Sequence, residues 1–145
     1  MQYHSHLTLA GRIPQERTNE NFTFSFMDGN IEAQKIFWRD YFGGTPNELY
    51  ISKNRPGFSS YFISLSEGPT IELMHLKGMA EGQHGAELTG WAHVAIDVGS
   101  RHRADEMVIK ASEDGILVSP ARLTGDGYYE AIIKDPDSNL IEIMG

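Results

Sequence analysis

The feature that most constrains the fold of this chain is an internal repeat with an offset of 70 residues. Ile71-Glu72-Leu73-Met74 and Ile141-Glu142-Ile143-Met144 are close copies, and each places one carboxylate in an otherwise apolar segment. The same offset pairs residues 22–29 with residues 92–99, and the unit needs no gap. A register that holds over a whole unit indicates that the chain contains two copies of one structural module.

Each copy of the repeat predicts a strand, a helix and then three further strands. Strands are predicted where apolar and polar residues alternate, and helices where apolar residues recur every three or four positions. Glycine and proline turn signals separate these elements, and Asn30 and Ser100 are suitable N-caps for the two helices. The predicted elements span 21–28, 29–42, 47–52, 58–66 and 69–75 in the first copy, and 90–98, 101–115, 116–119, 127–134 and 138–144 in the second.

The two βαβββ modules predict an α+β fold, and the length of 145 residues suits a single domain. Residues 1–20 lie outside the repeat, and we expect them to form an N-terminal arm. The domain then covers residues 21–144. Within it we expect module one at 21–76, a linker at 77–89 and module two at 90–144.

The charge balance argues against nucleic acid and anionic membranes as partners. Twelve Lys and Arg against twenty Asp and Glu give a net charge of −8. There is no apolar run of about 18 residues that predicts a transmembrane helix, and the N-terminus lacks the order of a signal peptide. A cytoplasmic location is therefore expected. The chain has no cysteine, so histidine and carboxylates are its strong candidate metal ligands.

Three residues are candidates for a metal centre: Glu72, His93 and Glu142. A histidine in the middle of the predicted strand 90–98 is either a satisfied core residue or a ligand. Glutamates are seldom buried without a partner, so the two copies indicate a cation or a protonated carboxyl group between them. Imidazole and carboxylate ligands suit zinc, nickel, iron, cobalt or manganese. Such an ion stabilises an enediolate, and Glu72 or Glu142 would then act as the base that transfers the proton.

The repeat leaves the fourth position of this centre without a strong ligand. The position equivalent to His93 holds Thr23, whose hydroxyl group is a weak and neutral metal donor. Three alternatives remain open. The ion is held by three side chains and water, an outside ligand such as His4 or His6 completes the site, or the site holds no metal.

The glycine-rich loop at residues 122–130 has two interpretations. It contains Arg122, Tyr128 and Tyr129 and leads into a predicted strand. It is either the entry of a β-hairpin or a loop that closes over a small ligand.

The motifs of both modules resemble those of the vicinal oxygen chelate superfamily. The match covers about residues 21–144 and is best with the small bacterial glyoxalase I-like and bleomycin-resistance-like members. It implies a curved mixed sheet around a central cleft, and commonly a homodimer in which modules of two chains complete the sheets. The resemblance is carried by Asp40-Tyr41-Phe42-Gly43-Gly44, Gly57–Phe62, Ile71–Met74, Gly90–Ala95, Thr124–Glu130 and Asp135–Ile143.

The resemblance to glyoxalase I implies a specific reaction and a metal. Its strand-borne ligands are His or Gln, then Glu, His and Glu. The last three fall on Glu72, His93 and Glu142, whereas the first falls on Thr23, where this sequence departs. The family likeness implies nickel, zinc, manganese or iron as cofactor, and isomerisation of the hemithioacetal of methylglyoxal and glutathione through an enediolate, with Glu142 or Glu72 as base. The candidates for binding glutathione are Arg122 and Arg39.

Other members of the superfamily imply other functions. Those with a His-His-Glu triad catalyse extradiol ring cleavage or thiol addition to fosfomycin, and Thr23 fits them less well. Still others bind bleomycin-like drugs without metal, which makes a metal-free binding protein the alternative function. The aromatic residues that would line such a cleft are also typical of a core: Phe22, Phe24, Phe26, Trp38, Tyr61, Trp91, Tyr128 and Tyr129.

Overall fold

The computed structural model describes residues 23–82, 89–125 and 127–145. These residues form two modules, each with one helix and one mixed sheet. Module one contains β1 (Thr23–Met27), α1 (Ile31–Phe42), β2 (Thr45–Pro46), β3 (Tyr50–Ile51), β4 (Phe58–Ser64) and β5 (Thr70–Leu76). Module two contains β6 (Val94–Asp97), α2 (Arg101–Glu113), β7 (Leu117–Leu123), β8 (Tyr129–Lys134) and β9 (Leu140–Met144).

The two sheets have equivalent topologies. In module one the strand order is β1-β5-β4-β2, with β3 also paired to β4, and in module two it is β6-β9-β8-β7. Strand β1 runs parallel to β5, and β6 runs parallel to β9. The other pairs are antiparallel. Ser25 pairs with Glu72 and Ala95 pairs with Glu142, so the offset of 70 residues is preserved in the hydrogen-bonded register. The predicted α+β fold with two tandem modules is confirmed.

Both helices begin after the predicted N-caps, so α1 starts two residues later than the predicted range 29–42 and α2 starts where its range does. The Asn30 side chain accepts a hydrogen bond from the N–H of Ala33 at 3.0 Å, and that of Ser100 accepts one from the N–H of Arg103 at 3.2 Å. Each cap satisfies a donor that the first helical turn leaves free. Helix α1 ends at Gly43, whose φ of 65° is a conformation that glycine adopts without strain.

The core lies between each sheet and its helix. Side chains alternate between the two faces of a strand, so Ile71 and Leu73 of β5 and Ile141 and Ile143 of β9 are buried. The same alternation turns Glu72 and Glu142 to the opposite face. The helices contribute Phe37, Trp38 and Tyr41 from α1 and Ala104, Met107 and Ala111 from α2.

Three strands differ from the prediction by more than two residues. The predicted strand 47–52 contains only β3, and β2 lies just before it, because Asn47 interrupts the ladder between them by accepting the N–H of Phe62 with its side chain at 2.7 Å. Strand β6 begins only at Val94, where its pairing to β9 starts. Strand β7 continues past Pro120 through shifts in its register, because proline cannot donate to the ladder.

Polar contacts join the two modules. The Gln34 side chain in α1 donates to Asp135 at 2.9 Å, and the N–H of Gly29 donates to Asp137 at 3.2 Å. The Tyr41 hydroxyl donates to Asp114 at the end of α2. Helix α1 therefore supports its own sheet and also contacts the second module.

Candidate functional site

Each sheet has one face against its helix and one face directed away from it, which we call the open face. In module one a row across the open face contains Ser25, Glu72 and Phe62, which are partners in the register of β1, β5 and β4. Phe62 is 37% exposed. The equivalent row in module two contains Ala95 and Glu142. The open faces thus carry the two glutamates of the repeat.

The open face of module two brings two predicted ligands into contact. Nε2 of His93 lies 3.4 Å from Oε2 of Glu142, and the two side chains are 38% and 13% exposed. His93 immediately precedes β6, next to the pairing of that strand with β9. A partly exposed imidazole beside a sheltered carboxylate can exchange protons with a bound ligand.

The open face of module one carries the third predicted ligand. Oε2 of Glu72 accepts a hydrogen bond from the Ser25 hydroxyl at 3.1 Å. Thr23, at the position equivalent to His93, is exposed and pairs with Thr70. His4, His6 and Phe22 lie outside the described residues.

The structure brings together two of the three predicted metal ligands. In residues 23–82, 89–125 and 127–145, no three His, Asp or Glu side chains converge as a metal site. The donor types of His93 and Glu142 fit a borderline divalent ion. Two converging donors are fewer than the three that a catalytic zinc site commonly has. Glu72 lies on the other module.

Arg122 lies on the open face of module two, opposite Glu130 in the register. Its guanidinium group contacts the Glu130 carboxylate at 3.2 Å and donates to the Ser119 hydroxyl at 2.8 Å. This contact was not predicted from the sequence. In β8, Glu130 lies two residues before Ile132, which pairs with Glu142. Glu130 and Glu142 therefore both lie on the open face.

The three predicted aromatic contacts have different surroundings. Trp91 and Tyr128 are 91% and 57% exposed, at the ends of loops that lead to β6 and β8. Tyr129 instead faces α2. Its hydroxyl donates to Asp105 at 2.5 Å, which raises the pKa of the phenol, and the Arg101 guanidinium lies 5.1 Å from its ring centroid.

Arg39, the other candidate for glutathione binding, lies on α1. Its Nε is 2.7 Å from Asp40. Because α1 packs on the face of the sheet opposite Glu72, Arg39 is not on an open face.

A cavity of about 260 Å³ lies between β1, α1 and β6. Its apolar walls contain several of the predicted cleft aromatics. Phe24 and Phe26 alternate with Thr23 and Ser25, so this cavity is not on the open face of module one. The apolar side chains lining it are Phe24, Phe26, Trp38, Leu65, Pro69, Ile71, Val94, Ala95 and Ile96.

Two buried polar residues between the modules, Asp28 and Gln34, were not predicted from the sequence, and both are 0% exposed. A signal for it was present. The repeat places Val98 and Ala104 at the equivalent positions, so polar residues there depart from the apolar pattern of the other copy.

Solved structures with the same fold include glyoxalases. The chain is 16% identical to glyoxalase I from Zea mays, with a TM-score of 0.69, and covers 84% of its own length but 43% of that chain. It is 17% identical to the trypanothione-dependent glyoxalase I of Leishmania major, with a TM-score of 0.65, covering 85% and 84% of the two chains. A glyoxylase/bleomycin resistance protein/dioxygenase domain from Frankia sp. EAN1pec is 14% identical, with a TM-score of 0.70 and coverages of 86% and 93%.

Two tandem modules with equivalent strand order place this chain in the class of proteins built by internal duplication. A family model matches residues 22–143, and the chain belongs to the Glyoxalase/Bleomycin resistance protein/Dioxygenase superfamily. No curated protein matches it. In the described part of the chain, neither helix is long and apolar enough to cross a membrane.

Proposed function

We propose that this protein is a glyoxalase-like lyase or isomerase that acts on a small substrate with oxygen atoms on two neighbouring carbons. The observation that carries the proposal is the contact of 3.4 Å between His93 and Glu142 on the open face of module two. Membership of the superfamily supports a small-molecule substrate. The low identity to solved glyoxalases supports the fold alone.

We propose His93, Glu142 and Glu72 as the ligands of a divalent ion such as nickel, zinc, manganese or iron. When bound, such an ion would polarise the two vicinal oxygens of the substrate and so acidify the C–H bond of one of the two carbons that bear them. Glu142 or Glu72 would take the proton from that carbon and return it to the adjacent oxygen-bearing carbon. His93 would keep the Glu142 carboxylate in place.

A second copy of the chain supplies the missing half of this site in our proposal. Among the described residues, β1 pairs only with β5 and β6 only with β9, so each has a free edge. The open face of module one also exposes Phe62 and Met27, which are 37% and 46% accessible. In a homodimer, Glu72 of one copy would face His93 and Glu142 of the other.

We assign the binding of the substrate to Arg122, Tyr128 and Trp91. Arg122 is held by Glu130 on the same face as Glu142 and would bind an anionic group of the substrate. The two exposed aromatic side chains would cover its apolar part. Tyr129 was also predicted to bind substrate, but it would have to leave Asp105 to do so.

The first test is a comparison of two histidine variants. His93→Ala removes the imidazole from the open face, and His102→Ala removes one from an exposed pair with Glu106 that has the same separation of 3.4 Å. Untagged protein is incubated with each ion, and its metal content is measured by elemental analysis. We expect about one ion per chain in wild type and in the His102 variant, and none in the His93 variant.

Stoichiometric metal in the His93→Ala variant would overturn the proposed ligand set. If wild type binds metal, the hemithioacetal of methylglyoxal and glutathione is the first substrate to assay. Glu142→Ala should lose both the metal and any activity. We also propose a cytoplasmic location, which fractionation of the source cells tests.

The alternative is a protein that binds a bleomycin-like small molecule without metal. It is favoured by the apolar cavity of about 260 Å³ and by the hydrogen bond that Glu72 already accepts from Ser25. In that case the metal content stays at zero for every variant. Apolar ligands would then quench the fluorescence of Trp38, which lines the cavity.

A further inference from the structure

A buried polar cluster joins the two modules, between the β1–α1 connection and the β8–β9 turn. We call it the inter-module cluster, and it consists of Asp28, Gln34, Asp135 and Asp137. Nε2 of Gln34 donates to Oδ2 of Asp135 at 2.9 Å and to Oδ2 of Asp137 at 3.1 Å. Asp28 and Gln34 are 0% exposed, and Asp135 is 4% exposed. Two buried carboxyl groups thus meet the partly exposed carboxyl group of Asp137 at the junction of the modules.

Asp135 has a full set of hydrogen-bond donors. Its Oδ1 accepts from the N–H groups of Asp137 and Asn139 at 3.0 and 2.8 Å. Its Oδ2 accepts from the side chains of Gln34 and Asn139 at 2.9 and 2.8 Å. Both oxygens of this buried side chain are therefore satisfied.

Asp28 is the opposite case. Neither of its carboxyl oxygens accepts a hydrogen bond from the described residues, and neither does Oε1 of Gln34. The charged side chains that act on Asp28 are Asp137 and Asp135, and both are negative. A buried anion without donors, beside two other anions, is strongly unfavourable.

The other groups packed around Asp28 do not neutralise it. In β5, Nδ1 of His75 lies 2.9 Å from the main-chain oxygen of Asp28, so the ring contacts the backbone. In α1, Glu32 and Lys35 are bonded to each other and to Tyr61.

The fold itself does not require this polar cluster. The repeat places Val98 and Ala104 of module two at the positions of Asp28 and Gln34. Val98 packs against the apolar core, and Ala104 is 0% exposed. Equivalent contacts can therefore be apolar, and the polar ones in module one are specific to that module.

We propose that Asp28 keeps its proton at neutral pH and donates a hydrogen bond through it to Asp137. The two side chains then form a link between the modules that depends on this proton. The N–H of Gly29, the residue that follows Asp28, donates to Asp137 at 3.2 Å, so the two carboxyl groups are neighbours, and two carboxylates cannot bond unless one carries a proton. Burial first, and then the charge of Asp137, raise the pKa of Asp28 to about 8. The link is independent of the proposed reaction.

The sign of the pH dependence follows from this assignment. The pKa of Asp28 rises from 3.8 to about 8 on folding, so between these values the folded state binds more protons than the unfolded state. The contribution of Asp28 to stability is present at low pH and is lost as the pH rises toward the folded pKa. Alkaline conditions then leave an unpaired charge between the modules.

The direct test is a carboxyl carbon NMR titration of the full chain. We expect the Asp28 signal to titrate near pH 8 in wild type, and to move to lower pH in Asp137→Asn, which removes the neighbouring charge. The protection of the Gly29 amide, whose N–H donates to Asp137, should fall over the same range when its exchange rate is compared with the intrinsic rate at each pH. An Asp28 signal that titrates near the ordinary value of 3.8 would overturn the proposal.

A second test compares melting temperatures between about pH 5 and about pH 9. The Asp28→Asn side chain cannot ionise but can still donate a hydrogen bond to Asp137. The melting temperature of this variant should therefore rise relative to that of wild type as the pH increases. Asp40→Asn is the control, because Asp40 is paired with Arg39 on the surface and its pKa is lowered. Asp28→Val with Gln34→Ala copies the apolar pair of module two and should also lack the alkaline loss.

A cation would be the competing explanation for the unpaired oxygens. If calcium, magnesium or sodium raises the melting temperature of wild type at alkaline pH but not that of Asp28→Asn, the cluster holds a cation and the proton link is wrong. If Asp28→Asn does not fold, the titration of the wild-type carboxyl group still decides.

Discussion

At the scale of single residues, the open face of module two combines charges that hold one another. Arg122 is paired with Glu130, and His93 contacts Glu142. Exposed pairs of this kind contribute only about 0–1 kcal/mol to stability. Their main value is therefore that they keep polar groups oriented toward whatever binds on this face.

Arg122→Ala should weaken the binding of an anionic ligand without unfolding the protein. Loss of a hydrogen bond to a charged group costs about 1.5–3 kcal/mol, or roughly 10-fold or more in affinity. The control is Arg103→Ala, since Arg103 is 50% exposed and pairs with Glu106 on α2. The measurement is the dissociation constant of a carboxylate-bearing ligand and of its uncharged analogue.

The two ligands should respond differently. If Arg122→Ala weakened the binding of both ligands equally, Arg122 would not interact with the charge of the ligand. Its assignment as the residue that binds an anionic group would then be wrong.

Some residues of the site follow from the sequence and others do not. Glu72 and Glu142 are identified by the repeat, and the contact of His93 with Glu142 follows from strands at equivalent positions. The direction of Tyr129 depends on where β8 begins, and a shift by one residue exchanges the two faces of a strand. Asp28 and Gln34 depend on how the modules pack against each other, which local patterns do not encode.

At the scale of elements, the two helices are defined by their caps. Asn30 and Ser100 each bond the N–H three residues ahead, and the sequence predicts both. The strands are less well predicted where ladder bonds are replaced. Asn47 takes the place of a strand partner by accepting the Phe62 N–H with its side chain. The alternation of apolar and polar residues in this segment does not predict that hydrogen bond.

Ser100→Ala should destabilise the protein by about 1 kcal/mol, because the first turn of α2 loses a capping acceptor. For a chain of this size the melting temperature should fall by roughly 3–6 °C. Ser112→Ala is the matched control, since Ser112 is exposed near the end of the same helix. Thermal unfolding followed by circular dichroism measures both. An equal effect of the two changes would mean that the cap does not stabilise α2.

At the scale of the whole molecule, the open faces determine how copies of the chain would associate. Both faces carry acids of the proposed centre, and the face of module one also exposes Phe62. A homodimer that joins the face of module one to that of module two would cover this apolar surface and bring the three proposed ligands together.

Phe62→Glu should convert the proposed dimer to a monomer with little change in fold, because a further negative charge beside Glu72 cannot be buried on that acidic face without a partner. Ile109→Glu is the control, since Ile109 is 61% exposed on α2, away from the open faces. Sedimentation velocity measures the result, and metal content should fall together with dimerisation. A Phe62→Glu variant that remains dimeric would place the interface elsewhere.

The strand pairing within each module also affects how the chain folds. Every ladder in the described residues joins strands of the same module, and the bonds between modules come from side chains and turns such as Gln34 with Asp135, 101 positions apart. Local pairings form faster than distant ones. During synthesis module one can complete its sheet before module two has left the ribosome, and the last event is then the docking of two preformed halves.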